Sequence, residues 1–302
     1  MSISVNNVSK FYGPQRALHG VNFHINAGEV VGFLGPNGAG KSTMMKIITC
    51  YIPPTEGKVS VCGHDVMEQS IEAKKQIGYL PEHNPLYLDM YVREYLSFVG
   101  GIYKVPQLKK RVDEMIEKVG LGVEAHKKIQ ALSKGYRQRV GLAQAMIHNP
   151  RVLILDEPTS GLDPNQLADI RDLIVNIGKE KTVMLSTHIM QEVEAICSRA
   201  IIINKGTIVA DKPTSELRKS LLSSGYELLV EFSGSISKSA LKQISGVTEV
   251  EAKEENTYII TASEARDIRK DISELAQSQG HSILTMTRKE QKLEDVFKEL
   301  TR

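Results

Sequence analysis

Eight consecutive residues, Gly35-Pro36-Asn37-Gly38-Ala39-Gly40-Lys41-Ser42, fit the spacing G-x-x-x-x-G-K-[ST]. That spacing suits a phosphorylated ligand. The glycines let the backbone curl so that N–H groups of Gly35, Asn37, Gly38, Ala39 and Gly40 turn inward, and a helix starting at Lys41 adds partial positive charge. Lys41 is expected to reach the β and γ phosphates and Ser42, followed by Thr43, to bring a hydroxyl to a magnesium ion. Far along the chain, Val152-Leu153-Ile154-Leu155 ends in Asp156-Glu157. Two carboxylates at the mouth of an apolar run are costly to bury unpaired. An economical use is for Asp156 to hold the metal and for Glu157 to polarise a water aimed at the γ phosphorus.

The loop needs a strand before it and a helix after it. Val30, Val31, Phe33 and Leu34 form a short apolar run ahead of Gly35, and Met44, Met45, Ile47 and Ile48 follow at helical spacing until Pro53-Pro54. Earlier, Ile3, Val5 and Val8, then Val21, Phe23 and Ile25, read as two more short strands. Residues 91–148 lack strand-like runs and read as mostly helical, broken at Pro106, Gly120 and Gly122. After them come compact apolar runs at 152–155, 182–185 and 201–203, separated by helical segments, and Asn204-Lys205-Gly206 reads as a hairpin turn into 207–210. This is the βαβ rhythm of an α/β protein with a mostly parallel core sheet, carrying an antiparallel β subdomain and a helical subdomain at about 88–148.

Beyond about residue 220 the pattern changes. Strands are expected at 226–232, 247–252 and 257–261, and helices at 214–222, 265–278 and 293–300. Residues 221–302 hold 11 basic and 14 acidic side chains, whereas residues 1–220 carry a net +5. The division expected is 1–220 for the loop-bearing domain and 221–302 for a small α+β domain. A chain of 302 residues fits two domains at roughly 150 residues each.

Composition narrows the function classes. With 38 Lys and Arg against 36 Asp and Glu, the net charge of +2 does not argue for nucleic acid or an anionic membrane surface. No apolar stretch approaches the roughly 18 residues that span a bilayer, and the first ten residues show no secretory pattern. Cys50, Cys62 and Cys197 form no CxxC pair and read as ordinary thiols.

Three further motifs stand in order along the chain. Leu132-Ser133-Lys134-Gly135-Tyr136-Arg137-Gln138-Arg139 opens an apolar-periodic helix with Ser133 as its N-cap. Ser160-Gly161-Leu162-Asp163 follows the carboxylate pair, and Ser186-Thr187-His188 ends the next strand. With the loop and Asp156-Glu157, this ordered set resembles the nucleotide-binding subunits of ABC transporters over about residues 1–220.

The resemblance implies a P-loop NTPase that binds ATP and magnesium and hydrolyses ATP to ADP and phosphate. It implies a head-to-tail dimer in which each ATP lies between the loop of one subunit and Ser133 and Gly135 of the other. It places Asp163 at the subunit interface, His188 at the γ phosphate as a switch, and Tyr12, in Lys10-Phe11-Tyr12-Gly13, against the adenine. The family's Q-loop glutamine corresponds to Glu82 here, a carboxylate able to help hold magnesium but unable to donate as an amide does. Lys134 and Tyr136 likewise replace the family's common glycine and glutamine. These departures, the single cassette and the ending Lys292-Leu293-Glu294-Asp295-Val296-Phe297 look like the branch serving separate export-type permeases, similar to the gliding-motility ATPase subunits of bacteria. The implied partners are a second ATPase subunit and a separate integral-membrane permease, with no nucleic acid, and the implied location is cytoplasmic, on the inner face of the cell membrane. The rival is a soluble ABC ATPase acting on ribosomes or DNA, whose tandem cassettes, heptads or basic patches this chain lacks.

Overall fold

The structure, a computed structural model, describes residues 1–217, 226–263 and 267–289, together with Phe297 and Thr301. It divides after Thr214 into two compact units.

The first unit begins with an antiparallel sheet. Strand β1 (Ile3–Tyr12) pairs with β2 (Gln15–Ile25) on one side and β4 (Glu56–Val61) on the other, and β4 pairs with the short β5 (His64–Asp65). Ile3, Val5 and Val8 face inward, and a register shift between Val5 and Val8 keeps that face apolar across an irregular stretch. Both opening strands extend beyond the apolar residues that announce them, meeting in a turn at Gly13, whose φ is +57.

The second sheet has the order β10-β9-β3-β8-β7-β6. Its members are β3 (Val30–Leu34), β6 (Ile77–Leu80), β7 (Val152–Asp156), β8 (Thr182–Thr187) and β9 (Arg199–Asn204), all parallel, with β10 (Thr207–Pro213) antiparallel at the edge. Every residue of β7 and β8 is buried, which explains their continuous apolar character. The β9–β10 turn places Lys205 and Gly206 at φ 47 and 79, as a tight hairpin requires.

Helix α1 (Lys41–Ile48) leaves β3 through the glycine-rich loop, and its Met44, Met45, Ile47 and Ile48 join Ile3, Phe23, Phe33 and Ile154 in the core between the two sheets. After α2 (Ser70–Gln76) and β6 come α3 (Val92–Ile102), α4 (Leu108–Lys118), a single 3-10 turn (Ile129–Ala131) and α5 (Lys134–Met146). Helices α6 (Pro164–Gly178) and α7 (Met190–Ile196) connect β7 to β8 and β8 to β9.

The second unit has the order β11 (Tyr226–Phe232), α8 (Lys238–Lys242), β12 (Val247–Glu254), β13 (Thr257–Ala262), α9 (Arg269–Ser278), β14 (Ile283–Lys289). Its antiparallel sheet runs β12-β13-β11-β14, the ferredoxin-like βαββαβ arrangement. Leu228, Val230, Phe232, Ile260, Ile268 and Ile272 form its own core. The sequence pattern did not announce α8 or β14. Of the helix expected at 214–222 residues 214–217 are helical and the rest lies outside the described residues, as do residues 265 and 266 of the next and, apart from Phe297, the helix at 293–300 with its closing motif.

Candidate active site

The loop after β3 curls because two of its residues take left-handed backbone, Gly38 at φ 80 and Gly40 at φ 108. Its back wall is backbone. A Cβ at Gly35 would stand 2.4 Å from the Ile203 carbonyl oxygen, and one at Gly40 would stand 2.8 Å from that of Ala17. Ala39 is buried between them, and its carbonyl accepts from the Gly206 N–H at 3.0 Å.

Lys41 heads α1 and is buried. Its Nζ donates to the carbonyls of Gly35 at 2.7 Å and Pro36 at 3.3 Å and lies 3.7 Å from Glu157 Oε1. Burial lowers the ammonium's affinity for its proton, opposed by the charges of Glu157 and Asp156. One residue on, the Ser42 hydroxyl lies 3.4 Å from Asp156 Oδ1, which also accepts a close hydrogen bond from Ser186 Oγ.

Glu157 follows directly on the end of β7. Its φ of 48 is left-handed, a conformation costing about 1–2 kcal/mol for a residue with a side chain. The turn is held because the Glu157 N–H donates to Ser186 Oγ at 3.0 Å and to the Ser186 carbonyl at 3.2 Å. Burial pushes the carboxyl up from its ordinary value, opposed by the hydrogen bond and charge of His188 and by the charge of Lys41. His188 Nδ1 lies 3.0 Å from Glu157 Oε2.

Lys41, Ser42, Glu157 and His188 open onto one cleft of about 610 Å³, lined also by Tyr12, Gln15, Ala17, Asn37, Gly38, Gly40, Thr43, Glu82 and Ser160. Tyr12 is half exposed at the rim, whereas its neighbour Phe11 is covered by the Arg16 guanidinium and does not line the cleft. A second cleft of about 650 Å³ lies between β6, α1 and the helices α3 and α5, and Ser42 and Glu82 line both. Asp156 opens onto the second.

Ser133, Gly135 and Asp163 line neither cleft. Ser133 caps α5 by accepting from the Tyr136 N–H at 3.4 Å, and Gly135 is pressed against Gln166 of α6. Asp163 caps α6 by accepting from the N–H groups of Asn165 and Gln166. Gln138 donates to the Pro158 carbonyl at 2.8 Å, tying α5 to the segment after Glu157.

Gln15, Ala17, Ser160, Ser186 and Gln138 were not singled out from the sequence, although Ser186, Ser160 and Gln138 lie inside motifs that were. Only the hairpin of β1 and β2 brings Gln15 and Ala17 to the loop.

The donor set suits magnesium. Ser42 and Asp156 offer hard oxygen atoms close together, with Glu82 on the same cleft, and such an ion takes one or two protein carboxylates plus phosphates. Among the described residues no three His, Cys, Asp or Glu side chains converge as a closed metal cage.

The ABC transporter family model matches residues 18–160. The chain is 35% identical over 231 residues to an uncharacterized ABC transporter ATP-binding protein of Bacillus subtilis, YxlF, covering 76% of this chain and 77% of that one. It is 32% identical over 308 residues to the linearmycin resistance ATP-binding protein LnrL of Bacillus subtilis, covering 99% and 98%. To the bacitracin transport ATP-binding protein BcrA of Bacillus licheniformis it is 36% identical over 222 residues, covering 72% and 71%. Among solved structures, a dimeric ATP-binding cassette in a post-hydrolysis state with ADP and Pi matches with TM-score 0.64 at 30% identity, covering 70% of this chain and 98% of that one.

Proposed function

Because the chain belongs to the ATP-binding proteins of ABC transporters, an ATPase family, we propose that it dimerises on ATP and drives a separate integral-membrane permease of the export type. The observation that carries the proposal is the meeting of Lys41, Ser42, Glu157 and His188 in one cleft.

In this reading the loop and Lys41 hold the phosphates of ATP, with Tyr12 against the base. The phosphates compete with the Gly35 and Pro36 carbonyls for the Lys41 ammonium. Ser42 and Asp156, with Glu82, hold magnesium, which supplies positive charge against the phosphates when bound. Glu157 accepts the proton of the attacking water, and its upward-pushed carboxyl is a better base than an exposed one. His188 holds that carboxylate in place and presents its ring to the γ phosphate. Ser133, Gly135 and Asp163, away from their own chain's cleft, serve the nucleotide of the second subunit.

Coupling to the permease runs through the helical insertion and the Glu82 loop, since Glu82 lines both clefts. No helix among the described residues is long and apolar enough to cross a membrane, so the membrane path is assigned to another chain and this subunit to the inner membrane face through it. The names of LnrL and BcrA, linearmycin resistance and bacitracin transport, support the export direction. The gliding-motility likeness is an alternative role for the same machine.

The test is purification of the tagged protein from gently solubilised membranes. Recovery of a polytopic membrane protein that raises ATP turnover supports the reading. Recovery of ribosomes or nucleic acid without such a protein overturns it.

A further inference from the structure

Glu192 is 1% exposed, the most deeply buried carboxylate among the described residues. It lies on α7 between Met190, Val193 and Ile196, all buried, where an apolar side chain would cost far less. Its Oε2 accepts from the Thr187 hydroxyl at 2.6 Å, while Oε1 is buried with no hydrogen-bond partner. A carboxyl kept in such a place for packing alone has no physical advantage.

What Glu192 reaches is the turn that carries His188. Fixed by Glu192, the Thr187 hydroxyl accepts from the Ile189 N–H at 3.1 Å, so the residues on both sides of His188 are tied to one carboxylate. The Thr187 carbonyl accepts from the Gly35 N–H at 3.4 Å, joining the same turn to the first residue of the phosphate loop. With its backbone held at both sides, the His188 ring rests 3.0 Å from Glu157.

We propose that Glu192 is the positioning residue of His188: by holding Thr187 it sets where the imidazole meets Glu157. The inference rests on the roles given above to Glu157 and His188. A competing structural role is available, since Glu192 lies in the first turn of α7 where a negative charge favours the helix. The two roles differ in what glutamine can replace. Its amide oxygen accepts from Thr187 as the carboxylate does, but it carries no charge for the helix.

The test measures steady-state ATP turnover and nucleotide binding of the full-length protein with Glu192→Ala, Glu192→Gln, Thr187→Val, the double variant Thr187→Val with Glu192→Ala, and His188→Ala as reference. Glu192→Ala and Thr187→Val are each expected to lower kcat tenfold or more while KM and nucleotide affinity stay within threefold. Glu192→Gln should retain kcat within threefold, and the double variant should be no slower than the worse single one, because the two residues act as a unit. If Glu192→Ala does not fold, Thr187→Val and Glu192→Gln carry the test. A kcat unchanged in Glu192→Ala or Thr187→Val, a loss confined to KM, additive losses, or a glutamine as slow as alanine overturns the proposal. If His188→Ala turns over normally, the role of His188 falls and this inference with it. If His188→Ala is slow and Glu192→Ala normal, this inference alone falls.

Discussion

His188 Nδ1 lies 3.0 Å from the Glu157 carboxylate, 31 positions away in sequence, and the backbone of Glu157 hangs on Ser186 of the same strand end that carries His188. Glu157 and His188 are therefore one mechanical unit. Glu157→Gln should keep ATP binding, accumulate a nucleotide-bound dimer, and lose about 10²–10⁴ in turnover, as removal of a general base does. Size-exclusion chromatography with ATP and a phosphate-release assay check both; near-normal hydrolysis removes Glu157 from the role of base. In the unsubstituted protein, burial raises this carboxyl, so turnover falls as pH drops through a value above the ordinary 4.5. A pH–rate profile reads that limb, which should be absent from the residual rate of the glutamine variant.

Lys41→Ala should weaken binding as well as rate, since in the proposed function its charge faces the phosphates before reaction as well as during it. Calorimetric titration with ATP should show a clear loss of affinity. Unchanged affinity with slower turnover would remove Lys41 from the cradle.

Tyr136 is 38% exposed on the first turn of α5, and its backbone N–H is engaged by Ser133. The side chain thus offers surface to a neighbour more than to a phosphate. Tyr136→Gln should leave ATP turnover within a few-fold, and a collapse with folding intact would show direct use of the phenol.

His148 supplies a stability prediction with a definite sign. Its ring stacks on Tyr103 at 3.9 Å, and Nε2 donates to the Ile77 carbonyl at 3.0 Å, which leaves Nδ1 bare and buried. Burial lowers the imidazole from 6.5 to about 4, because the charged form would bury a second N–H with no acceptor. The unfolded chain therefore takes up this proton first as pH falls. Stability from the neutral ring is fully present above about pH 6.5 and is lost toward pH 4, by about 1–2 kcal/mol after allowing for solvent at the ring. His148→Phe keeps the stack and should flatten that part of the pH dependence, measured by urea unfolding at pH 7.5 and 5. An equal slope in both proteins would place the titration elsewhere.

The two-unit division is tested by shortening. The motif residues named for nucleotide binding lie between Tyr12 and His188, and the second unit has its own core. A chain ending near Ser223 should fold and bind ATP, read by circular dichroism and nucleotide titration. An unfolded product would make residues beyond 223 part of the first core.

The motifs that make up the cleft were legible because each combines an unusual residue set with a fixed neighbour: the glycines with Lys41, the carboxylate pair with a fully buried strand, His188 with a strand end. The parallel strands β7 to β9 were legible for the same reason, since burial on both faces leaves uninterrupted apolar runs. What escaped were elements whose role is set by distant partners. β4 has only Val59 and Val61 as apolar residues and β6 is only four residues long, and both are fixed by pairing with β1 and β7. β14 reads Ile-Leu-Thr-Met-Thr-Arg-Lys, with no clean alternation, and is defined by its register with β11. Glu192 looked like any charged residue on a helix, and only its depth beneath Thr187 sets it apart.

The backbone wall behind the phosphate loop limits how this chain can vary. A side chain at Gly35 or Gly40 collides with the carbonyls of Ile203 and Ala17, and every amino acid brings the same carbonyl, so no second substitution at 17 or 203 can make room. Gly32, three residues before the loop, is different: its obstacle is the side chains of Val193 and Cys197, which smaller residues could relieve. Among paired substitutions, suppressors of Gly32→Ala are therefore available at 193 and 197, while Gly35→Ala and Gly40→Ala have none at the positions that block them. One glycine is negotiable within its neighbourhood; the other two are fixed by the polypeptide itself.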